Sequence, residues 1–209
     1  MRLKWSSRLV TDSQKTFWQW FDAHQDELFD FEIDQERVFE DLSEQLTRVH
    51  PKLTFEFGPP NSGQREFVIS ADGIREAFPA VSSLVAGAPK LDRWLITAFR
   101  PRRTPINSVQ IGETRVDPQK IEFSLLSKGS VIAIQLFIPG FKEDDVTLKQ
   151  IAYIMLDDAL GEYDVETKVG PIQMLPSEPP SETRRYPLTE LPARFDRLAS
   201  TLTGTSSPN

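Results

Sequence analysis

The sequence predicts an α+β protein in which a ββαβ pattern occurs twice. Residues 53–99 have the pattern of a β-hairpin, a helix and a strand, and residues 121–169 repeat it. The first strands of the two segments begin 68 residues apart and their last strands 69 residues apart. This spacing predicts an internal duplication, with a largely antiparallel sheet and helices on one of its faces. Few residues are identical between the segments, so a chance match of patterns is the alternative.

Two helices are predicted ahead of the first repeat, over residues 12–49. Thr11 provides a side-chain oxygen that can cap the first helix. On a 3.6-residue period Phe17 and Phe21 share one face, which we expect to lie in the core, whereas Trp18 points to another side. We therefore predict that Trp18 is exposed and contacts a partner. The second helix, from about residue 34 to 49, combines an apolar stripe with an exposed row of glutamates.

The first repeat begins with two runs of alternating apolar and polar residues, separated by a turn rich in proline and glycine over residues 58–63. A helix follows, but Pro79 would interrupt its interior. We therefore predict an irregular turn over residues 74–77 and a new helix that starts at Pro79. The repeat ends with a strand over residues 94–99.

Between the repeats a short strand pair is predicted around Val109, Ile111 and Val116. The second repeat then contains two strands, a helix over residues 144–160 with Gly161 as its C-cap, and a strand over residues 163–169. This helix is apolar nearly all round, which predicts that it is covered on more than one side.

Residues 1–169 are predicted to form a single α+β domain. From residue 170 onward the prolines at positions 171, 176, 179, 180, 187 and 192 favour an extended arm. Within the arm of residues 170–209, only residues 188–202 have the spacing of a helix, and residues 203–209 are predicted to be disordered.

Four stretches of sequence resemble a bacterial family of uncharacterised proteins. They are FWQWF, FEFGP, REFVISADGIREAFPAV and FRPRR, within the part of the chain up to about Gly161. That family has no assigned activity, substrate or cofactor. The resemblance implies a bacterial, cytoplasmic protein and transfers no site residue.

Composition excludes several kinds of chemistry. The chain has no cysteine and two histidines, so thiolate metal sites, cysteine nucleophiles and disulfides are ruled out. Motifs for nucleotides, zinc hydrolases and serine hydrolases are missing, and we predict no cofactor. The net charge of -7 argues against nucleic-acid binding. No apolar run is long enough for a membrane span and the first ten residues lack a signal-peptide core, so a cytoplasmic protein is expected.

Charge is distributed unevenly along the chain. Residues 22–44 contain ten acidic residues and a single arginine. Arg100, Arg102 and Arg103 directly follow a predicted strand, and Pro101 restricts the backbone between them. These arginines are predicted to dock on the acidic segment of this chain or of a second copy, to bind an anionic ligand, or only to form an exposed basic turn. Acidic residues lie at the C-terminal end of the 144–160 helix, where the helix dipole disfavours negative charge. Either a basic partner binds there, or these residues are simply exposed to solvent.

The functional prediction is a non-catalytic module that binds a protein or peptide, with Trp18 and the three arginines as candidate contact residues. One alternative is a hydrolase built on carboxylates, because such pairs are defined by spatial distance, which sequence does not supply. The other is recognition of an anionic ligand at residues 100–103. Convergent carboxylates would favour the enzyme, and an open groove or edge strand would favour the binding module.

Overall fold

The computed structural model describes residues 11–178 and 183–204, which form two compact units. One ends at Arg100 and the other begins at Pro101, and each contains its own hydrophobic core. The boundary between them therefore lies inside the segment that we predicted as one domain over residues 1–169. The α+β class is confirmed.

Two helices begin the first unit, as predicted. Helix α1 spans Asp12–Phe29 and starts with a capping box, in which Thr11 and Gln14 each accept a hydrogen bond from the backbone N–H of the other. A short 3-10 helix, Phe31–Ile33, connects it to helix α2, Gln35–Val49.

The sheet of the first unit has three strands: β1, Thr54–Phe57; β2, Arg65–Ser70; and β3, Trp94–Ala98. Helix α3, Phe78–Ala86, connects β2 to β3. The strand order is β1-β2-β3, with β1 antiparallel and β3 parallel to β2. Pro79 occupies the first turn of α3, directly after a 3-10 turn, which confirms the predicted break.

Aromatic rings build the core of this unit between its helices and one face of its sheet. Phe21 on α1 stacks on Phe67 of β2, with ring centroids 5.0 Å apart, and both side chains are fully buried. Leu42 of α2 and Leu84 of α3 complete the same cluster. The alternation of β1 and β2 thus places their apolar residues against the helices.

The second unit contains three helices and six strands among the described residues. Helices α4, α5 and α6 span Val146–Leu160, Glu162–Lys168 and Leu191–Gly204. The strands are β4, Val109–Ile111; β5, Thr114–Val116; β6, Glu122–Lys128; β7, Val131–Ile138; β8, Val169–Pro176; and β9, Tyr186–Pro187. The predicted β4–β5 pair is confirmed.

Four strands form the main sheet of the second unit in the order β8-β7-β6-β9. Strand β6 is antiparallel and β8 is parallel to β7, which repeats the pairing of the first unit. The prediction of a strand over residues 163–169 was wrong. Gly161, with φ 77°, ends α4 as predicted, but the chain then forms α5, and the third strand starts only at Val169.

The core of the second unit lies between one face of this sheet and helices α4 and α6. Ile134 and Leu136 of β7 are buried against Met155 of α4 and Phe195 of α6. Helix α4 also packs against the β4–β5 pair, so it is covered on more than one side.

Residues beyond 170 contribute to this unit instead of forming a detached arm. Strand β8 continues to Pro176, β9 pairs with β6, and Leu188 and Phe195 are fully buried. Helix α6 extends to Gly204, two residues into the segment predicted as disordered. The rest of that segment, residues 205–209, lies outside the described residues. None of the described helices has the length and apolar character that a membrane span requires.

Candidate functional site

Trp18 is a core residue of the first unit, so the prediction that it is exposed was wrong. Its side chain is 4% exposed, and its indole N–H donates a hydrogen bond to the carbonyl oxygen of Leu84 on α3 at 2.9 Å. The reason is that α1 is covered by α3 as well as by the sheet. Trp20, which is half-buried and stacks on His24, is the more accessible tryptophan of this helix.

Arg100 forms ion pairs within the first unit. Its guanidinium donates to Glu56 on β1 and, at 2.8 Å, to Asp72 in the loop after β2. Burial alone would lower the pKa of Arg100, but the hydrogen bonds to Asp72 and Glu56 outweigh it and raise the pKa above its ordinary value. Two carboxylates of the chain thus occupy the place of the predicted anionic ligand.

Arg102 connects three helices of the second unit. Its guanidinium donates to both carboxylate oxygens of Asp196 on α6 at 2.8 Å and to Asp164 on α5 at 2.6 Å. Its Nε donates to the carbonyl oxygen of Leu160 at the end of α4 at 2.9 Å. The hydrogen bond to Asp196, followed by that to Asp164, raises the pKa of Arg102. Beside it, the backbone N–H of Arg103 donates to the carbonyl oxygen of Asp158 at 2.7 Å.

These contacts answer the question raised by the acidic end of α4. The positive charge that the helix dipole favours there comes from Arg102, which lies far away in sequence. The ion pairs given above for Arg100 and Arg102 join them to residues outside the acidic segment 22–44, so docking on that segment of the same chain was wrong for these contacts, and docking on a second copy stays a prediction. Within that segment, Arg37 pairs with Glu27, Asp34 and Asp41. Two arginines of the first unit pair with other members of it, Arg65 with Glu32 and Arg93 with Asp26.

The described carboxylates provide little for the alternative of a carboxylate-based hydrolase. No group of three or more metal-ligating side chains occurs within residues 11–178 and 183–204. Glu32 and Asp196 are two carboxyl groups whose pKa departs from its ordinary value. Hydrogen bonds from Arg65 and from Arg102 lower their pKa values. A general acid at neutral pH requires the opposite shift.

An open sheet edge is the main feature that the sequence did not predict. Strand β8 pairs with β7 on one side, and no described strand pairs with its other side. Ser177, which directly follows β8, donates its N–H to the carbonyl oxygen of Ile138 on β7. Because successive residues of a strand direct their backbone groups to opposite neighbours, Ile172 and Met174 direct theirs to the open edge.

A groove lies alongside this edge, between β8 and α4. It encloses about 630 Å³ and is lined by both polar and apolar side chains. Its lining residues are Phe141, Glu143, Lys149, Tyr153, Ile172, Gln173, Met174, Leu175 and Pro176. The side chains of Ile172 and Met174 point to the core face of the sheet and are only partly covered there. They therefore form the floor of the groove.

The wall of the groove belongs to an exposed apolar surface on α4. Val146, Tyr153 and Ile154 are large hydrophobic residues with 65%, 50% and 42% of their surface exposed. Of these three, Tyr153 lines the groove, and Val146 and Ile154 lie on the same helix outside its lining. The groove thus combines unpaired backbone groups with apolar side chains.

Two prolines limit the accessible part of the edge. By the same alternation Pro176 directs its backbone nitrogen, which carries no hydrogen, to the open edge, whereas Pro171 lies on the β7 side at the irregular step of the pairing between Val169 and Ile172. Between them the edge offers the backbone groups of Ile172 and Met174. The edge is therefore protected against extensive pairing while a short segment stays available.

Sequence reasoning missed this site because it placed the third strand of the repeat too early. Ile172 and Met174 on either side of the polar Gln173 were a signal for a strand, but the two prolines pointed to an arm. Comparisons of the chain with protein family models, with curated proteins and with solved structures found no match.

Proposed function

We propose that the second unit binds an extended peptide segment of a partner protein, which adds a strand to the open edge of β8. The observation that carries this proposal is the juxtaposition of that edge with the groove against α4. Pairing of a peptide with a sheet edge beside a helix is a recurring mode of recognition, in which backbone bonds provide affinity and side-chain pockets provide specificity.

The backbone of the peptide pairs with Ile172 and Met174. Each of these residues offers one N–H donor and one carbonyl acceptor at the edge, which is enough for about four hydrogen bonds of roughly 0.5–1.5 kcal/mol each. Because Pro171 and Pro176 bracket this segment, the paired stretch is about five residues long. We expect a dissociation constant in the micromolar range, as is usual for short segments that bind without a large interface.

The side chains of the groove define what the peptide carries. Phe141, Tyr153, Ile172 and Met174 provide apolar contacts, whereas Lys149 and Glu143 balance each other in charge. One large apolar side chain of the peptide therefore enters the groove. The peptide residues on either side of it lie along the edge of β8, and we expect the site to select them by size more than by charge.

A selection from a random peptide library tests this function. Peptides are selected on the wild-type protein and counter-selected on Met174→Pro, which removes one N–H from the open edge without removing a bond to β7. We expect the enriched peptides to share one aromatic or long aliphatic position. Fluorescence polarisation should show at least about tenfold weaker binding to Met174→Pro and to Tyr153→Ala.

Tyr163→Ala is the matched control, because Tyr163 is as exposed as Tyr153 but lies on α5 outside the groove. Its affinity should stay within about twofold of the wild type. Failure to enrich any peptide, or equal binding to Met174→Pro, would overturn the proposal. So would a wild-type dimer, seen by light scattering, that Met174→Pro dissociates, because the edge would then pair with a second copy.

We extend the proposal to the setting and origin of the protein. The sequence features that favour a bacterial cytoplasmic protein without nucleic-acid partners are the absence of cysteine, the net charge of -7 and the resemblance described above. The shared strand order and pairing of the two ββαβ segments supports their origin by internal duplication, with α5 as an insertion before the last strand.

A further inference from the structure

Two buried nitrogen-bearing side chains lie next to each other in the sheet of the first unit. Arg65 on β2 is directly opposite Trp94 on β3 in the parallel register, so both side chains extend from the same face. Arg65 is 2% exposed and Trp94 is 4% exposed. An arginine so deeply buried is uncommon unless its charge is matched.

Most of the donors of this pair have no acceptor among the described residues. Arg65 donates from Nη2 to Glu32 at 2.6 Å, whereas its Nε and Nη1 and the indole Nε1 of Trp94 are buried without a partner. The two side chains meet at the ring of Phe29. The guanidinium carbon of Arg65 lies 5.3 Å from its centroid, and the centroid of Trp94 lies 5.7 Å from it.

Glu32 is the one acceptor of this guanidinium among the described residues. Glu32 belongs to the short helix between α1 and α2, and its side chain is 57% exposed, so water competes for it. Buried donors without acceptors are costly, and more so when they are charged. The site therefore favours an acceptor that reaches more of these donors than Glu32 does.

We propose that Arg65 and Trp94 bind the carboxylate group of a ligand, which replaces Glu32 on the guanidinium. A carboxylate matches the planar fork of an arginine and has lone pairs left for the indole N–H. One arginine suits a single negative charge better than a phosphate dianion. The rings of Phe29 and Phe31 beside the guanidinium favour an apolar group next to the carboxylate.

The path to the site lies beneath the connection between α1 and α2. Phe31 covers the guanidinium of Arg65 at 4.5 Å, and the neighbouring Ile33 is 87% exposed. A movement of this three-residue helix that separates Phe31 from Phe39 of α2 and Phe57 of β1 would uncover Arg65. Glu32 thus acts as an internal substitute for the ligand and keeps the site closed when none is bound.

The indole N–H resonance of Trp94 in a nitrogen-15 NMR spectrum tests the proposal directly. The resonance is assigned by its loss in Trp94→Phe. We expect sodium benzoate to shift it in a saturable way, and benzamide or sodium chloride at equal concentration to have no such effect. In Glu32→Gln, which removes the competing charge, the dissociation constant of benzoate should fall at least about tenfold.

Arg93→Gln is the matched control, because Arg93 lies over the same Phe29 ring but is exposed and paired with Asp26. This variant should bind benzoate within about twofold of the wild type, whereas Arg65→Gln should not bind it. If Arg65→Gln fails to fold, the benzoate affinity of Glu32→Gln relative to that of the wild type tests the proposal instead.

A second arm distinguishes the source of the carboxylate. N-acetyl-glycyl-phenylalanine presents the C-terminus of a peptide, and its amide is the neutral control. Saturable binding of either acid supports the proposal, and the stronger one identifies a free acid or a chain terminus as the ligand. Two results would overturn the proposal: no saturable shift of the Trp94 indole resonance with either acid in Glu32→Gln, or an equal shift with the neutral compounds. The donors of Arg65 and Trp94 would then be assigned to bonds with water.

Discussion

The contacts of Arg102 predict that one arginine stabilises much of the second unit. It holds the C-terminus of α4, Asp164 on α5 and both carboxylate oxygens of Asp196 on α6. The side chain of Arg102 is 29% exposed, that of Asp164 is 17% exposed and that of Asp196 is 57% exposed. The expected effects therefore lie between those of surface and buried ion pairs.

The magnitude follows from these three contacts. The contact at the end of α4 contributes about 0.5–1 kcal/mol, as cations at helix C-termini do. The fork to Asp196 contributes about 1 kcal/mol, since exposure of Asp196 screens it. The less exposed Asp164 contributes about 1–1.5 kcal/mol, and without Arg102 it lies beside the like charge of Asp196 with only Lys168 as an ion-pair partner among the described residues. We expect Arg102→Gln to lower the free energy of unfolding by about 3 kcal/mol.

Urea unfolding measures this loss. The four tryptophans all precede residue 101 and the three tyrosines all follow it, so the two fluorophores report on different units. The destabilisation should appear in the tyrosine signal and in far-ultraviolet circular dichroism. A double-mutant cycle with Asp196→Asn should return a coupling energy of about 1 kcal/mol.

Arg115→Gln is the control for the loss of an arginine from the same unit, because Arg115 is exposed on β5. It should change the free energy of unfolding by less than about 0.5 kcal/mol. If Arg102→Gln is no more destabilised than Arg115→Gln, the ion pairs of Arg102 do not hold α4, α5 and α6 together, and the reasoning is refuted.

Three further predictions concern stability. Trp18→Phe should lower the free energy of unfolding by about 1 kcal/mol, because it removes the hydrogen bond to Leu84. In the same thermal unfolding assay, Trp20→Phe should lower it by less than half as much. Equal losses would contradict the assignment of Trp18 to the core. Gly161→Ala should lower the free energy of unfolding, measured with urea, by about 1–3 kcal/mol, because residues other than glycine rarely adopt φ 77° and ψ 147°. An unchanged unfolding midpoint would mean that the backbone of the turn adapts to alanine. Arg102 lowers the pKa of Asp196 in the folded protein, so the stabilisation from this ion pair is present above the ordinary pKa of 3.8 and is lost as the pH falls below it. Asp196→Asn should therefore make the free energy of unfolding depend less on pH in this acidic range. An acid unfolding transition that is the same in Asp196→Asn and in the wild type would contradict this prediction.

Sequence predicted those elements whose signals are local. Thr11 caps α1, Pro79 starts α3 and Gly161 ends α4, because each of these residues acts through its own backbone or side-chain chemistry. The alternation in β1 and β2 is similarly local. Such signals placed the helical pair, the first repeat and most of the second.

The last strand of the second repeat shows where local signals fail. Tyr163, Val165 and Thr167 alternate as in a strand, yet the chain is helical there, and the strand that follows contains two prolines. Pro176 is tolerated because its nitrogen faces the open edge of the sheet, and Pro171 because it lies at an irregular step in the pairing of β8 with β7. Strand order is a property of the whole fold, and the sequence around residue 171 does not reveal it.

The candidate site residues show a second limit. The helical periodicity of α1 identifies one buried face, but Trp18 is buried because α3 covers a second one. Likewise, the carboxylate that forks with Arg102 lies 94 residues further along the chain. Burial and ion pairing depend on neighbours that are distant in sequence. Residue type and spacing therefore could not predict the burial of Trp18 or the ion pairs of Arg102.

The division of the chain after Arg100 has a consequence for synthesis on the ribosome. Every described strand and helix of the first unit lies in a contiguous segment that is translated before the second unit, and the buried residues of its core that the structure describes lie within residues 17–99. Domains generally fold as units while synthesis continues at about 5–20 residues per second. The first unit therefore has several seconds to close around its aromatic rings before α6, which completes the second core, leaves the exit tunnel.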